Sequence, residues 1–184
     1  MKTKNGLIAL AFIAIFTLTS ATIFNTTDPV ETETAQTANI VGVAVANKDF
    51  TTLVAAVKAA DLVATLSGDG PFTVFAPTND AFAKLPEGTI ATLLKPENKA
   101  TLTSILTYHV VAGKFDAAAV VAAIKANYGA FTVKTVQGGT LIASLDGGNV
   151  MLKDEKGNMS KVVIADVAAS NGIIHAIDSV VMPN

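Results

Sequence analysis

The pattern of apolar and polar residues changes twice along this chain. Residues 7–18 form an apolar run interrupted only by Thr17. From Ile40 to about Gly129, apolar residues recur mainly every three or four positions, which is typical of helices. From Phe131 onward they alternate with polar residues, which is typical of strands. Helices followed by strands predict an α+β domain in which N-terminal helices pack beside an antiparallel β-sheet or meander.

Residues that cap helices divide the first half of the domain into short helices. The expected caps are Asp49, Asp61, Thr78 or Asn79, and Asp116. A short buried strand, residues 72–76, precedes the third of these caps and ends at Pro77. Asp80 is expected in the first turn of the next helix, where a carboxylate faces the positive end of the helix dipole.

The second half contains strand-like segments separated by turns. The segments are residues 131–136, 140–145, 150–153, 162–166 and 173–181. The turns between them contain Gly138-Gly139, Gly147-Gly148, Gly157-Asn158 and Asn171-Gly172. Alternation places Ile173, His175 and Ile177 on one face of the last strand. Because this strand is so apolar, we expect it inside the sheet and not at an exposed edge.

The N-terminal apolar run has the layout of a secretory signal peptide. Lys2 and Lys4 precede it, and Thr19-Ser20-Ala21 follows with the small residues suited to cleavage after Ala21. We predict cleavage; a retained membrane anchor and a buried N-terminal helix are the alternatives. Residues 22–38 contain six threonines and few apolar residues, so they are expected to form a flexible Thr-rich stalk. Residues 39–184 then form one domain.

Composition excludes several kinds of site. All 13 basic residues are lysine and the net charge is −2, so nucleic-acid binding is not expected. The sequence contains no cysteine, which excludes disulfides, thiol nucleophiles and thiolate metal ligands. The two histidines, His109 and His175, have no ligand-rich cluster near them in the sequence. We therefore expect no metal site and no cofactor.

No set of candidate catalytic residues is recognisable. Asp80 and Asp178 would be a glycosidase acid and base only if the fold brought them together. Helix capping already explains Asp80, and Asp178 is expected to accept hydrogen bonds at a strand end. The sequence has neither a Gly-x-Ser-x-Gly nucleophile motif nor a phosphate-binding glycine loop. The chain is therefore predicted to be non-enzymatic, with no catalytic residues.

Three segments, taken together, resemble the fasciclin domain. They are residues 73–82 (TVFAPTNDAF), Tyr108-His109, and residues 171–178 (NGIIHAID). The resemblance extends over about residues 39–184 and implies a fasciclin-like fold, as in single-domain exported bacterial members. Cap-forming residues and a glycine turn explain why such segments would be structural. The predicted structural residues are Thr78, Asn79, Asp80, Asn171, Gly172, His175 and Asp178.

The same resemblance implies a cell-adhesion or interaction module that is secreted or lies in the cell envelope, periplasm or extracellular space. It implies a cell-surface or matrix protein or polysaccharide as partner, and no stable membrane span after signal cleavage. Tyr108 and His109 correspond to the proposed receptor-contact pair of animal members. The residues alone favour a buried, hydrogen-bonded role for His109. The alternative function is an extracytoplasmic carrier of a small apolar ligand, motivated by 51% hydrophobic residues.

Overall fold

The computed structural model describes residues 38–86 and 88–184. The predicted signal peptide (1–21) and all but the last residue of the predicted stalk (22–38) lie outside this part. The described α-helices are α1 (Ile40–Ala46), α2 (Thr51–Ala59), α3 (Val63–Leu66), α4 (Asn79–Ala83), α5 (Thr89–Leu93), α6 (Lys99–Tyr108) and α7 (Ala117–Ala126). Short 3-10 helices cover Lys48–Phe50 and Pro96–Asn98. The strands are β1 (Phe72–Pro77), β2 (Val110–Ala112), β3 (Ala130–Lys134), β4 (Thr140–Asp146), β5 (Asn149–Lys153), β6 (Met159–Ala169) and β7 (Gly172–Ile177).

The strands form one sheet in the order β2-β1-β7-β6-β5-β4-β3. Neighbours are antiparallel except β1 and β7, which are parallel, so the sheet is mixed and not purely antiparallel. The first residue of β7, Gly172, has to be glycine because a side chain there would collide with the backbone oxygen of Phe72 in β1. The edge strands are β2 and β3, and a bridge between Val111 of β2 and Thr135, directly after β3, joins them. The sheet is therefore closed into a barrel. The prediction that the last strand lies inside the sheet is confirmed.

Two hydrophobic cores lie on opposite faces of the central strands. Helices α1 to α6 cover one face, where Val74 and Ile174 point into the helical core. Phe75 and Ile177 point the other way, into a barrel core that also contains Val120 of α7. β7 is buried along its whole length because both of its faces are covered. The predicted α+β fold with N-terminal helices beside the sheet is confirmed.

Two of the predicted helix caps are correct and two are wrong. The side chains of Thr78 and Asp116 accept hydrogen bonds from the third residue of α4 and α7, as expected. Asp49 instead lies inside a 3-10 turn and donates its amide to Asn47 Oδ1 at 2.9 Å. Asp61 has a φ of +61° and lies in the turn between α2 and α3, so it caps neither helix.

The first helices are apolar and only partly buried. Ile40 and Ala44 of α1 pack in the helical core, whereas Val45 is 57% exposed. Within residues 38–86 and 88–184, no single helix has both the length and the hydropathy to cross a bilayer. Segments Ile40–Ala46 and Lys48–Ala59 meet that criterion only as a pair, and they are bent by 104° to each other.

Candidate functional site

Asn79 of α4 supplies the N-terminal cap of a different helix. Its Oδ1 accepts hydrogen bonds from the Thr52 amide and the Thr51 hydroxyl, both at 3.0 Å. Its Nδ2 donates to the backbone oxygen of Lys48 at 2.8 Å. Helix α2 has no local side-chain cap, because Phe50 occupies the position where a capping residue would lie. Asn79 therefore satisfies an amide at the start of α2 and links α4 to it.

Asn171, in the turn between β6 and β7, joins two other helices. Its Oδ1 accepts a hydrogen bond from the Ile40 amide at the start of α1, at 2.9 Å. Its Nδ2 donates to the backbone oxygens of Leu66 and Gly68 at the end of α3, at 2.8 and 2.9 Å. One amide side chain thus satisfies backbone groups at the start of one helix and the end of another.

His175 lies at the centre of β7 and is 2% exposed. Its Nε2–H donates to the backbone oxygen of Phe115 at 2.8 Å, and its Nδ1 accepts from the Asp166 amide at 3.3 Å. The imidazole also stacks on Phe75, with 5.7 Å between ring centroids. Both ring nitrogens are therefore engaged by the backbone, and the ring joins the segment before α7 to the sheet.

Tyr108 is the last residue of α6, and its side chain is fully buried. Its hydroxyl donates to the backbone oxygen of Thr140 at 2.6 Å and accepts from the Glu155 amide at 3.2 Å. Burial raises the pKa of Tyr108 to about 12, because the phenolate would lose its hydration. The uncharged Tyr108 hydroxyl therefore links α6 to the start of β4 and to the turn after β5.

His109 follows Tyr108 and is also buried, with 2% of its surface exposed. Its Nδ1–H donates to the backbone oxygen of Ile105 at 2.8 Å, and its Nε2 accepts from the Val181 amide at 3.3 Å. Burial lowers the pKa of His109 to about 4, so the ring is neutral at pH 7. The expectation of a buried, hydrogen-bonded imidazole is confirmed. Partner contact by Tyr108 and His109 stays a prediction, and it would require this segment to open.

The two candidate carboxylates have different surroundings. Asp178 accepts hydrogen bonds from the Lys161 amide at 2.8 Å and from Lys84 Nζ and Ser179 Oγ, both at 3.1 Å. Burial on its own would raise the pKa of Asp178, but these hydrogen bonds outweigh it and hold the pKa below its usual value. A glycosidase acid needs the opposite shift. Asp80 lies exposed in the first turn of α4.

Asp154 and Glu155 are structural residues that the sequence analysis missed. Asp154 is 3% exposed and accepts hydrogen bonds from the Asn158 amide at 2.7 Å and the Met182 amide at 3.0 Å. Glu155 accepts from the Thr140 amide at 2.9 Å, which is the main reason its pKa is lowered. The composition of residues 154–158 is typical of a turn. It contains no signal for the contacts with β4 and the C-terminal residues.

The cavities do not suit a large ligand. In the helical core, an apolar cavity lined by Leu53, Val57 and Leu106 has a volume of about 30 Å³, room for one or two water molecules. Two surface grooves of about 590 and 520 Å³ are open to solvent. Across residues 38–86 and 88–184, no three His, Cys, Asp or Glu residues are grouped in a way that could hold a metal ion.

Comparisons with known proteins define the class of this helix-covered barrel. The fasciclin domain model matches residues 48–183. Protein sll1483 of Synechocystis sp. is 53% identical over 156 residues, which is 83% of this chain and 76% of that protein. Immunogenic protein MPB70 of Mycobacterium bovis is 42% identical over 142 residues, covering 74% and 65% of the two chains.

A solved structure shows the same fold. It is a FAS1 domain pair from the insect cell adhesion molecule fasciclin I, with a TM-score of 0.70 and 18% identity, covering 79% of this chain and 51% of that one. The chain therefore belongs to the fasciclin domain family, and the resemblance predicted from the sequence is confirmed. Fasciclin domains occur in adhesion and matrix proteins and are non-catalytic.

Proposed function

We propose that this protein is a non-catalytic adhesion or interaction module that works outside the cytoplasm and binds a surface protein or polysaccharide. The observation that carries the proposal is that polar residues of the signature segments make hydrogen bonds inside the fold. Asn79, Asn171, His175 and Asp178 all make hydrogen bonds within the fold. These residues stabilise a scaffold, and the exposed surface is left to do the binding.

Two further observations support this role. The solved fasciclin pair with the same fold comes from a protein named as a cell adhesion molecule. The first 21 residues of this chain have the layout of a secretory signal peptide, which agrees with work outside the cytoplasm.

The architecture suits binding by a preformed surface. Both faces of β7 are packed, and the barrel is closed by the bridge between Val111 and Thr135. A scaffold built in this way has little backbone freedom to lose when a partner binds, which favours affinity. The buried pair Tyr108 and His109 would contact a partner only after local opening, so the proposal relies on the exterior of the domain.

The enclosed cavity in the helical core does not support the carrier alternative, and the two larger grooves of the described residues are open to solvent. The core cavity of about 30 Å³ is far below the 300–1,000 Å³ range of typical ligand pockets. Native mass spectrometry of the protein purified from its source tests this alternative directly. We expect the mass of the polypeptide alone, and a reproducible co-purifying small molecule would favour the carrier.

Cell fractionation and binding to intact cells test the main proposal. We expect the full chain, tagged at exposed Asn184, to leave the cytoplasm and to be digested by protease added outside the cells. A matched variant lacking residues 1–21 should stay inside. Purified protein should bind cells saturably, and heat-unfolded protein should not compete. Retention of the full chain in the cytoplasm, or binding that does not saturate, would contradict the proposal.

A further inference from the structure

The outer face of strands β3 to β6 carries three lysines in a line. Lys153 of β5 lies opposite Ile142 of β4, and Ile142 lies opposite Thr132 of β3. Lys134 is two positions beyond Thr132 on β3. On β6, Met159 lies opposite Lys153, and Lys161 lies opposite Met151, which puts Lys161 on the side of Lys153 away from Lys134. Strand spacing and rise place Lys134 about 12 Å from Lys153, and Lys153 about 8 Å from Lys161. Measured along the barrel wall, the Cα atoms of the two outer lysines are about 20 Å apart, so the three lie on one nearly straight path across the strands.

These three residues, called the lysine stripe below, are open to solvent. Lys134 and Lys153 are exposed and Lys161 is partly exposed. Within the described part of the chain, none of the three ammonium groups lies within 4.0 Å of a carboxylate. At alternate positions of β3, β4 and β5, Val133, Leu141 and Leu152 point into the barrel core, which fixes the face on which the stripe lies. The stripe is a local concentration of positive charge on a chain whose net charge is −2.

Apolar and hydroxyl side chains flank the stripe. Ile142 is 37% exposed and Met159 is 47% exposed, one on each side of it. Thr132 and Thr140 are exposed on the same face. Two acids lie nearby. Glu155 lies at one end of the strands, where its carboxylate accepts hydrogen bonds from Thr140. Asp178 accepts a hydrogen bond from the Lys161 amide, and its carboxylate is paired with Lys84 Nζ at 3.1 Å. The face therefore offers three separated cations, two exposed apolar side chains and the exposed hydroxyl of Thr132.

We propose that the lysine stripe binds a linear anionic polysaccharide that carries carboxylate or sulfate groups. This inference rests on the proposed function and names the class of partner. A line of charges fits a chain with repeated anionic groups better than it fits a planar membrane, and the outer wall of a barrel curves away from a plane. Lysine ammonium groups are point charges, which suit single anions spaced along a polymer. The exposed Ile142 and Met159 can pack against the apolar faces of sugar rings.

Binding of the full chain to defined polymers tests this inference. The probes are dextran sulfate and polygalacturonate, with neutral dextran as the negative control. The test variant is the triple substitution Lys134→Gln, Lys153→Gln and Lys161→Gln. The matched control replaces three exposed lysines of the helical side, Lys48→Gln, Lys58→Gln and Lys95→Gln, and removes the same charge. Circular dichroism confirms that both variants fold.

We expect the full chain to bind at least one anionic polysaccharide, and the stripe variant to bind about tenfold more weakly, as three exposed ion pairs allow. The control variant should stay within about twofold of the wild type, because its charges lie on the helical side. Equal losses in the two variants, or no loss in the stripe variant, would overturn the stripe as the site.

Two further probes separate the polysaccharide from other anionic partners. Tighter binding to vesicles of phosphatidylglycerol and phosphatidylcholine, or to polyglutamate, than to either polysaccharide would overturn the choice of partner. If no anionic polysaccharide binds but the protein still binds intact cells saturably, this inference fails and the proposed function stands. If binding to cells also fails, the proposed function fails with it.

Discussion

Replacing Tyr108 with phenylalanine removes one buried oxygen that connects three parts of the fold. The hydroxyl donates to Thr140 and accepts from Glu155, at 2.6 and 3.2 Å. Phenylalanine fills the same space but leaves those two backbone groups without this partner. An unsatisfied buried polar group costs about 1–3 kcal/mol. We therefore expect Tyr108→Phe to lower the free energy of unfolding by about 2 kcal/mol and the Tm by about 4–8 °C.

Tyr128→Phe is a matched control, because the side chain of Tyr128 is completely exposed. It should change the free energy of unfolding by less than about 0.5 kcal/mol. The chain has no tryptophan, so urea unfolding is best followed by circular dichroism. If Tyr108→Phe is as stable as Tyr128→Phe, the hydroxyl does not hold these elements together, and the structural interpretation of Tyr108 is refuted.

The same residue predicts a loss of stability at high pH. An unfolded tyrosine ionises near pH 10, whereas the pKa of Tyr108 in the fold is about 12. Between these values the unfolded chain releases a proton that the folded chain keeps, so stability falls as the pH rises. The expected loss is about 2–3 kcal/mol. Tyr108→Phe should be less sensitive over this range, and an unchanged slope would contradict the assigned pKa.

The remaining predictions use the same unfolding assay. As the pH falls from 6.5 to about 4, the wild type should become about 3 kcal/mol less stable, because the His109 imidazole takes up a proton in the unfolded chain but not in the fold. His109→Gln should make the free energy of unfolding depend less on pH over this range. Asp178→Asn should cost about 1 kcal/mol at pH 7, and this cost should shrink as the pH falls through the lowered pKa of the Asp178 carboxyl, whereas Asp80→Asn at an exposed position should have a smaller effect at pH 7. Asn171→Asp, which loses two donated hydrogen bonds, should cost about 2–4 kcal/mol. Flat pH profiles, or equal effects of the two aspartate variants, would contradict these assignments.

Features set by neighbouring residues could be predicted from the sequence. Thr78 and Asp116 cap the helices that directly follow them, and the glycine turns separate strands near the predicted bounds. The three signature segments identified the family, which implied the fold. Local patterns were sufficient in these cases because capping and hairpin turns involve residues only a few positions apart.

Features set by distant residues could not be predicted. The sequence pattern predicts Asp49 as the cap of α2, but that cap comes from Asn79, which is brought there by the packing of α4. Strand β2 is only three residues long, and its apolar sequence continues directly from α6. Burial of Tyr108 depends on β4 and on the turn containing Glu155. Each of these contacts is fixed by tertiary packing, which a local pattern does not encode.

During synthesis, β1 leaves the ribosome about a hundred residues before β7, the strand that pairs with it in parallel. Before β7 is made, the helical core lacks Ile174 and the barrel core lacks Ile177. The edges of β1 and β6 that pair with β7 are also unpaired. Pairing over so long a separation forms slowly. We therefore expect both cores to stay incomplete until β7 has been synthesised, which leaves apolar helix and strand surfaces exposed to chaperones until then.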